Sequence, residues 1–300
     1  MKNNQRGRYS TSPKKKNRTR KISLLITSQL VVIFLLSWLI IYMLNHVQSA
    51  NDFKALSQQV SQAASAQTTP TSMPAPEATS PVAVDAAGET TAVPTNETTT
   101  APTEPKEKVL LAQYAELYDQ NPELYGWIRI DGTVIDYPVM RSVEEPEKYL
   151  HANFQAAYSY AGTPFVDYQC SNDSDNMLIY GHNMLDGSMF RSLLKYENKN
   201  YWEAHPTIMY SDLYDEYEYE VMAAFYDRVY KKTEDVFKFY QFIDAENEDD
   251  FYSSVFHLKD KSLYDTGIDP QYGDQLITLI TCAYHVENGR FVVVARRAAD

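Results

Sequence analysis

The stretch "TLITCAYHVENGRFVVVARR", residues 278–297, contains two apolar runs joined by a short polar loop. Both runs are rich in β-branched residues, which pack well on a pleated surface and are typical of β-strands. The loop contains Asn288-Gly289, a pair that favours tight turns. The stretch therefore predicts two neighbouring strands that bring Cys282 and Arg290 to the same end of a sheet.

Similar strand-like runs recur through the C-terminal two thirds of the chain. They are residues 126–130, 134–140, 165–168, 177–182, 208–210, 217–227, 237–242, 276–282 and 290–296. Helices are predicted at 187–197 and 245–259, and a short amphipathic helix is predicted around Leu110 to Tyr118. Many short strands with few helices, and no regular alternation of the two, favour a β-barrel or a β-sandwich.

The charge of the chain is divided unevenly along its length. The 300 residues carry a formal net charge of −13, yet the first 50 residues hold nine Lys and Arg and no acidic residue. The remainder has 18 basic and 40 acidic residues. An acidic folded part argues against nucleic acid as a partner, because nucleic-acid binding relies on basic contacts to phosphates.

Residues 22–44, "ISLLITSQLVVIFLLSWLIIYML", are uncharged. A helix needs about 20 apolar residues to cross a bilayer, so this run predicts a transmembrane signal-anchor. The basic tail 1–21 predicts a cytoplasmic N-terminus, with the rest of the chain outside the cell. A cleaved signal peptide, with "VQSA" before Asn51, is the alternative, but its apolar core usually spans only about 7–15 residues.

Residues 45–105 follow this run and are dominated, from Ser57 onward, by Thr, Ala, Ser and Pro. Such a composition buries too little apolar surface to offset the entropy lost on ordering. The sequence therefore predicts a disordered, low-complexity extracellular linker at 45–105, followed by a folded domain at 106–300.

The placement of Cys282 near Arg290 has a chemical consequence. A guanidinium near a thiol stabilises the thiolate, which is the nucleophilic form, and it can also donate to an oxyanion that develops on a carbonyl. The pair indicates a cysteine nucleophile with an electrophilic helper. The alternative is a buried strand cysteine beside an arginine at the rim of the sheet.

A thiol enzyme also needs a group that moves protons. The chain has six histidines. His182 is the preferred candidate because the apolar run "NMLIYG" ends directly before it, which places the imidazole where the chain leaves the sheet. His285 is the alternative, since it lies three residues after Cys282.

These residues resemble the sortases, membrane-anchored cysteine transpeptidases of Gram-positive surfaces, and within them class B. "TLITC" with Cys282, "GRFVVVA" with Arg290 and "YGHNM" with His182 match the three motifs of the family in the family's order. The supporting stretches are "GWIRIDGTVIDYPV", "YLHANF", "GTPFVD" and "MFRSLLKYENKNYW", and the likeness spans residues 114–297.

The resemblance implies a mainly β fold, a closed β-barrel of about eight strands with peripheral helices. It implies that Cys282 attacks a C-terminal sorting signal of a surface protein to form a thioester, that His182 transfers protons, and that Arg290 stabilises the oxyanion. The acceptor would be an amine of a cell-wall precursor or a pilin lysine. Thr278, Thr281 and Tyr284 are further candidates for substrate binding, and no cofactor or metal is expected.

The resemblance leaves some questions open. Ala283 and Tyr284 follow Cys282 where some class B relatives carry an acidic residue, so no carboxylate that orients His182 is identified. A Cys/His peptidase without amine transfer and a non-enzymatic stalked surface-binding module remain alternatives.

The second cysteine, Cys170, and the acidic residues after it have alternative interpretations as well. A disulfide between Cys170 and Cys282 is conceivable outside the cell, but it would block the nucleophile. Asp173 and Asp175 suggest a calcium loop that lacks the usual glycine and terminal glutamate, so a solvated turn is preferred.

Overall fold

The barrel is the centre of the molecule. The computed structural model describes residues 14–67 and 108–298. Eight strands close into a barrel in the order β1-β2-β3-β4-β7-β8-β6-β5. They are β1 (Leu124–Arg129), β2 (Asp136–Met140), β3 (Phe165–Val166), β4 (Asn176–Tyr180), β5 (Thr207–Ser211), β6 (Glu216–Arg228), β7 (Leu276–Cys282) and β8 (Gly289–Arg297). The predicted closed barrel of about eight strands is confirmed.

Within the described residues, four α-helices and three 3₁₀ helices surround the barrel. The α-helices are α1 (Lys14–Gln67), α2 (Ala112–Gln120), α3 (Lys199–Ala204) and α4 (Glu248–Asp260), and the 3₁₀ helices are Lys148–Leu150, Phe190–Glu197 and Phe239–Gln241. The start of α4 is capped by Asn247, whose side chain accepts a hydrogen bond from the Asp250 N–H at 3.1 Å. Acidic residues in its first turn also stabilise this end of the helix, because negative charge is favourable at the positive end of the helix dipole.

β7 is buried along nearly its whole length. It pairs in parallel with β4 and antiparallel with β8. Every residue of β7 from Leu276 to Thr281 is buried, and Cys282 alone is partly exposed. A strand that is covered on both faces has a nearly continuous apolar sequence. This is why "LITLIT" does not alternate between polar and apolar residues as a half-exposed strand does. Solvent therefore reaches β7 only at its last residue, Cys282, at one edge of the buried core.

The strand predicted at 237–242 is wrong. This segment contains the 3₁₀ helix Phe239–Gln241 in an otherwise irregular stretch. Phe239 and Phe242 are buried in the core, and the Phe242 carbonyl accepts a hydrogen bond from Asn176 Nδ2 at 2.8 Å. Aromatic residues packed from a loop give the same alternation as a strand, so the sequence pattern could not separate the two.

The disorder predicted for 45–105 is wrong for residues 45–67, which belong to α1. Phe53 and Leu56 are each 5% exposed, and the Phe53 ring meets the Tyr137 ring edge to face with centroids 5.2 Å apart. The Ser57 hydroxyl donates to Asp136 on β2. Apolar residues at helical spacing thus dock α1 on the barrel, although the segment is polar on average. The predictions for 1–13 and 68–105 fall outside the described residues.

Among residues 14–67 and 108–298, no helix combines the length and the apolar character needed to cross a membrane. The transmembrane segment predicted at 22–44 is therefore not supported. These residues form the middle of α1, which begins in a basic segment at Lys14 and continues to Gln67.

The docking of α1 can be tested by Phe53→Ala. Removing a buried aromatic ring should lower the free energy of unfolding by about 3 kcal/mol, because transfer energy and packing are both lost. Urea denaturation monitored by fluorescence measures this change. Val47→Ala, at an exposed position of the same helix, is the control and should change stability by no more than about 0.5 kcal/mol. Equal effects of the two substitutions would contradict the docking.

Candidate active site

Cys282 and Arg290 lie opposite each other at the open end of β7 and β8. Their Cα atoms are partners in the antiparallel ladder, with Cys282 the last residue of β7 and Arg290 the second residue of β8. Directly opposed residues in an antiparallel pair project to the same face of the sheet. The strand pairing therefore brings the thiol and the guanidinium to one side of one edge.

Arg290 is held by the backbone beside it. Its Nη1 donates to the carbonyl of Gly289 at 3.0 Å and to that of Asn288 at 3.3 Å. A guanidinium has donors on three nitrogens, so two bonds at Nη1 leave further N–H groups for a ligand. The bonds restrict the arginine to the rim of the sheet, where its charge faces the neighbouring cavity.

His182 enters from the other side of β7. It follows β4 by two residues, and β4 pairs with β7 as far as Tyr180 opposite Ile280. The His182 Nε2 lies 2.8 Å from the Leu150 carbonyl oxygen, and its ring stacks on His151 with centroids 5.5 Å apart. The loop after β2 thus fixes the ring plane of His182.

The environment of His182 favours its neutral form. Burial is the main cause and lowers the pKa of His182, while the hydrogen bond to the Leu150 carbonyl raises it and the nearby His151 lowers it. A histidine with a lowered pKa releases its proton more readily. Such a group can return from imidazolium to imidazole within one reaction cycle near neutral pH.

A cavity of about 380 Å³ joins these groups. It is lined by Cys282, His182, Arg290, Thr281 and the backbone of Gly181, together with apolar and aromatic side chains. Those side chains are Pro146, Leu150, Phe165, Tyr168, Tyr180, Val229, Phe239, Tyr240 and Ile280, and Glu147 and Asp167 add two carboxylates. A mostly apolar cavity with a few converging polar groups is typical of a site for a small ligand or a short peptide segment.

The remaining predicted site residues are placed differently. Thr281 lines the cavity, but its hydroxyl donates to the Gly181 carbonyl at 2.8 Å. Thr278 is fully buried and outside the cavity lining, where its hydroxyl donates to Asn176 Oδ1 at 2.7 Å. Tyr284 is 79% exposed and does not line the cavity. The structure therefore brings only Thr281 of these three next to the thiol.

The alternative histidine, His285, lies away from the cavity. Its ring packs edge to face on Tyr226, with centroids 4.8 Å apart. Proximity in sequence to Cys282 therefore does not place His285 in the same cavity, because the loop between β7 and β8 turns it toward β6.

Cys170 is a buried free thiol. Its sulfur accepts a hydrogen bond from the Leu178 N–H at 3.4 Å, and burial raises the pKa of Cys170 to about 12. Cys282 is free as well, so the disulfide considered from the sequence is not formed.

Asp175, considered from the sequence as part of a calcium loop, contacts the backbone of the segment before α4. One of its carboxylate oxygens accepts a hydrogen bond from the Ala245 N–H at 2.8 Å.

Sequence reasoning missed Asn183 and Arg191. Asn183 Nδ2 donates to the Cys282 carbonyl at 2.7 Å, and Arg191 Nη1 donates to Asn183 Oδ1 at 2.8 Å. Both residues belong to stretches that carry the family resemblance, "YGHNM" and "MFRSLLKYENKNYW". The motifs marked both residues, but the contact between Asn183 and Cys282 joins positions that are 99 residues apart in sequence.

Comparison with known proteins agrees with this geometry. A family model described as the sortase domain matches residues 128–298. The chain belongs to the sortase family. Sortase B of Listeria monocytogenes is 38% identical over 184 residues, which cover 59% of this chain and 71% of the relative. Sortase B of Staphylococcus aureus is 30% identical over 188 residues, covering 61% and 74%.

A solved structure of a Staphylococcus aureus sortase B-substrate complex has the same fold. It superposes with a TM-score of 0.65 at 22% identity and covers 85% of this chain and 98% of that one. The family and its sortase B relatives identify this chain as a class B sortase and a cysteine transpeptidase.

The two cysteines should differ in reactivity. Iodoacetamide should modify Cys282 in the folded protein and leave Cys170 unmodified, because Cys170 is fully buried and its thiol is held protonated. Peptide mapping by mass spectrometry measures both sites, and modification in urea, where both should react, is the control. Rapid labelling of Cys170 in the folded protein would contradict its placement.

The stacking of His151 on His182 predicts a pH effect. The neighbouring His151 lowers the pKa of His182 electrostatically, so His151→Gln should raise the pKa of His182 toward its ordinary value. Titration of the histidine ring protons by NMR measures the midpoint. His257→Gln, where the ring instead stacks on Phe237, should leave the His182 midpoint unchanged. A midpoint that stays or falls in His151→Gln would contradict the coupling.

Proposed function

We propose that this sortase cleaves a C-terminal sorting signal of a surface protein and transfers the new acyl end to an amine. Cys282 is the nucleophile, His182 the proton-transfer group and Arg290 the oxyanion donor. The observation that carries the proposal is the cross-strand pairing of Cys282 with Arg290 at the edge of a cavity that His182 also lines.

In the first half-reaction the Cys282 thiolate attacks the carbonyl carbon of the scissile peptide bond. The carbonyl oxygen becomes an oxyanion, which the Arg290 guanidinium stabilises. As the intermediate collapses, the C–N bond breaks and the His182 imidazolium gives its proton to the leaving amine. The products are a thioester on Cys282, a free amine and neutral His182.

In the second half-reaction the acceptor amine attacks the thioester carbonyl. His182 takes a proton from the amine, the C–S bond breaks, and the thiolate is regenerated beside an imidazolium. A new amide bond replaces the one that was broken. The lowered pKa of His182 supports its role as the proton donor to the leaving amine, because burial makes its imidazolium form a stronger acid.

The proposed partners follow from this chemistry. The donor is a surface protein that carries a sorting signal, and the acceptor is an amine of a peptidoglycan precursor or a lysine of a pilin subunit. These partners lie outside the cytoplasm, so we place the folded domain at the outer side of the cell membrane. The reaction requires no metal or organic cofactor, since thiol, imidazole and guanidinium supply every step.

The direct test is mass spectrometry of the purified chain with a panel of sorting-signal peptides, with and without triglycine. We expect a peptide–triglycine adduct that forms only when Cys282 is present, so Cys282→Ala should abolish it without unfolding the protein. His182→Ala and Arg290→Ala should each lower the turnover number by about 10³-fold or more, on the scale of losing a proton-transfer group or an oxyanion donor.

Two matched variants serve as controls. Cys170→Ala removes the other thiol, which is buried and outside the cavity lining, and His285→Gln removes the histidine that lies three residues after Cys282. Both should retain adduct formation. Cleavage with no adduct at any triglycine concentration would point to a peptidase, and an adduct formed by Cys282→Ala would overturn the assignment.

A further inference from the structure

The hydrogen bonding between β4 and β7 continues past the last paired residues. After the pair Tyr180 and Ile280, the Gly181 N–H donates to the Ile280 carbonyl at 3.0 Å. The Thr281 hydroxyl then donates to the Gly181 carbonyl at 2.8 Å. The chain leaves the sheet at His182, so backbone pairing ends one residue before the proposed proton-transfer group.

The side chain of Asn183 supplies the next hydrogen bond between these two segments. Its Nδ2 donates to the Cys282 carbonyl at 2.7 Å, and the residue is only 6% exposed. A side-chain amide thus takes the place of a backbone N–H where the strand has ended. The backbone of the proposed nucleophile is thereby tied to the residue that follows His182.

Arg191 determines which way this amide points. Its Nη1 donates to Asn183 Oδ1 at 2.8 Å, and a guanidinium has no acceptor, so the oxygen of the amide must face it. The NH₂ group is then directed at Cys282. Arg191 is the second residue of the 3₁₀ helix Phe190–Glu197, whose first residue donates its N–H to the His182 carbonyl at 2.9 Å.

The packing around this 3₁₀ helix leaves little freedom. Phe190 is fully buried, and a Cβ at Gly181 would lie 2.6 Å from its ring, so glycine is needed for the close approach. Asn183 and Met189 also form an antiparallel bridge that closes the intervening loop. The helix, the loop and the end of β4 therefore hold Asn183 and His182 as one unit against Cys282.

We propose that Asn183 is a positioning residue for the reaction: oriented by Arg191, it holds the Cys282 backbone at a fixed place relative to His182. The inference rests on the proposed function, in which Cys282 attacks the substrate carbonyl while His182 transfers protons to and from the substrate amines. Catalysis of this kind is sensitive to small displacements, and a shift of about 1 Å can cost about 10²-fold in rate.

The first variant is Asn183→Asp, which keeps the size of the side chain and its partner Arg191. It removes the N–H donor and turns an oxygen toward the Cys282 carbonyl. We expect the turnover number to fall about 10²-fold, with an unchanged KM and a melting temperature close to that of the parent, because the new carboxylate forms an ion pair with Arg191.

The second variant carries no new charge. The double substitution Asn183→Leu and Arg191→Met replaces both polar partners with apolar groups of similar shape, which protects the fold. The Cys282 carbonyl again loses its donor, so the turnover number should fall as in Asn183→Asp. Agreement of the two variants separates the lost hydrogen bond from the effect of an added negative charge.

Asn176→Asp is the matched control at the opposite end of β4. Asn176 is also a buried asparagine whose Nδ2 donates to a backbone carbonyl, that of Phe242 at 2.8 Å, but it lies outside the cavity lining. We expect it to lower the melting temperature while leaving the turnover number of the folded fraction unchanged. A role in stability alone would give the same pattern in the Asn183 variants and would overturn the proposal.

A second readout keeps this test independent of the peptide substrate. The rate of iodoacetamide reaction at Cys282 should fall in both Asn183 variants and stay unchanged in Asn176→Asp, because only the former displace the thiol from His182. If the parent forms no peptide–amine adduct, the proposed function fails. The alkylation rates then still test whether the hydrogen bond from Asn183 positions Cys282. Parent-like alkylation and turnover in both Asn183 variants would overturn the inference.

Discussion

The position of β7 between β4 and β8 is the constraint on which the site depends. The parallel pairing with β4 brings His182 to one flank of Cys282, and the antiparallel pairing with β8 brings Arg290 to the other. Because β7 is buried along its length, its register is held by the whole core. A slip by one residue would turn Cys282 to the other face of the sheet, away from the cavity, and would exchange the side chains packed on the two faces.

The strand ends matter as much as the strands. Backbone pairing stops at the rim of the barrel, and the chain there is stabilised by side chains and by turns. Thr281, Asn183 and Arg290 all bind backbone carbonyls at this rim. The cavity is therefore built from a rigid edge, and the groups proposed to react are carried by residues with little conformational freedom.

The electrostatics of the cavity combine burial with a few opposing charges. Burial lowers the pKa of His182, whereas the Leu150 carbonyl supports the protonated ring. Glu147 and Asp167 line the same cavity as Arg290, so charges of both signs border it. The opposing effects of burial and the Leu150 carbonyl act on a histidine that, in the proposed reaction, accepts and releases one proton in each cycle.

Strand-like runs in the sequence predicted most strand positions and a β-barrel or β-sandwich. The family resemblance carried by the motifs around His182, Cys282 and Arg290 implied the closed barrel and the three candidate catalytic residues. The sequence did not determine the docking of residues 45–67, the irregular segment at 237–242, or the partners of Thr278 and Asn183. Those features depend on which residues meet across the core: Asn183 and Cys282 are 99 positions apart and form a hydrogen bond of 2.7 Å. Only the tertiary structure could decide them, since local periodicity carries no information about contacts between distant segments.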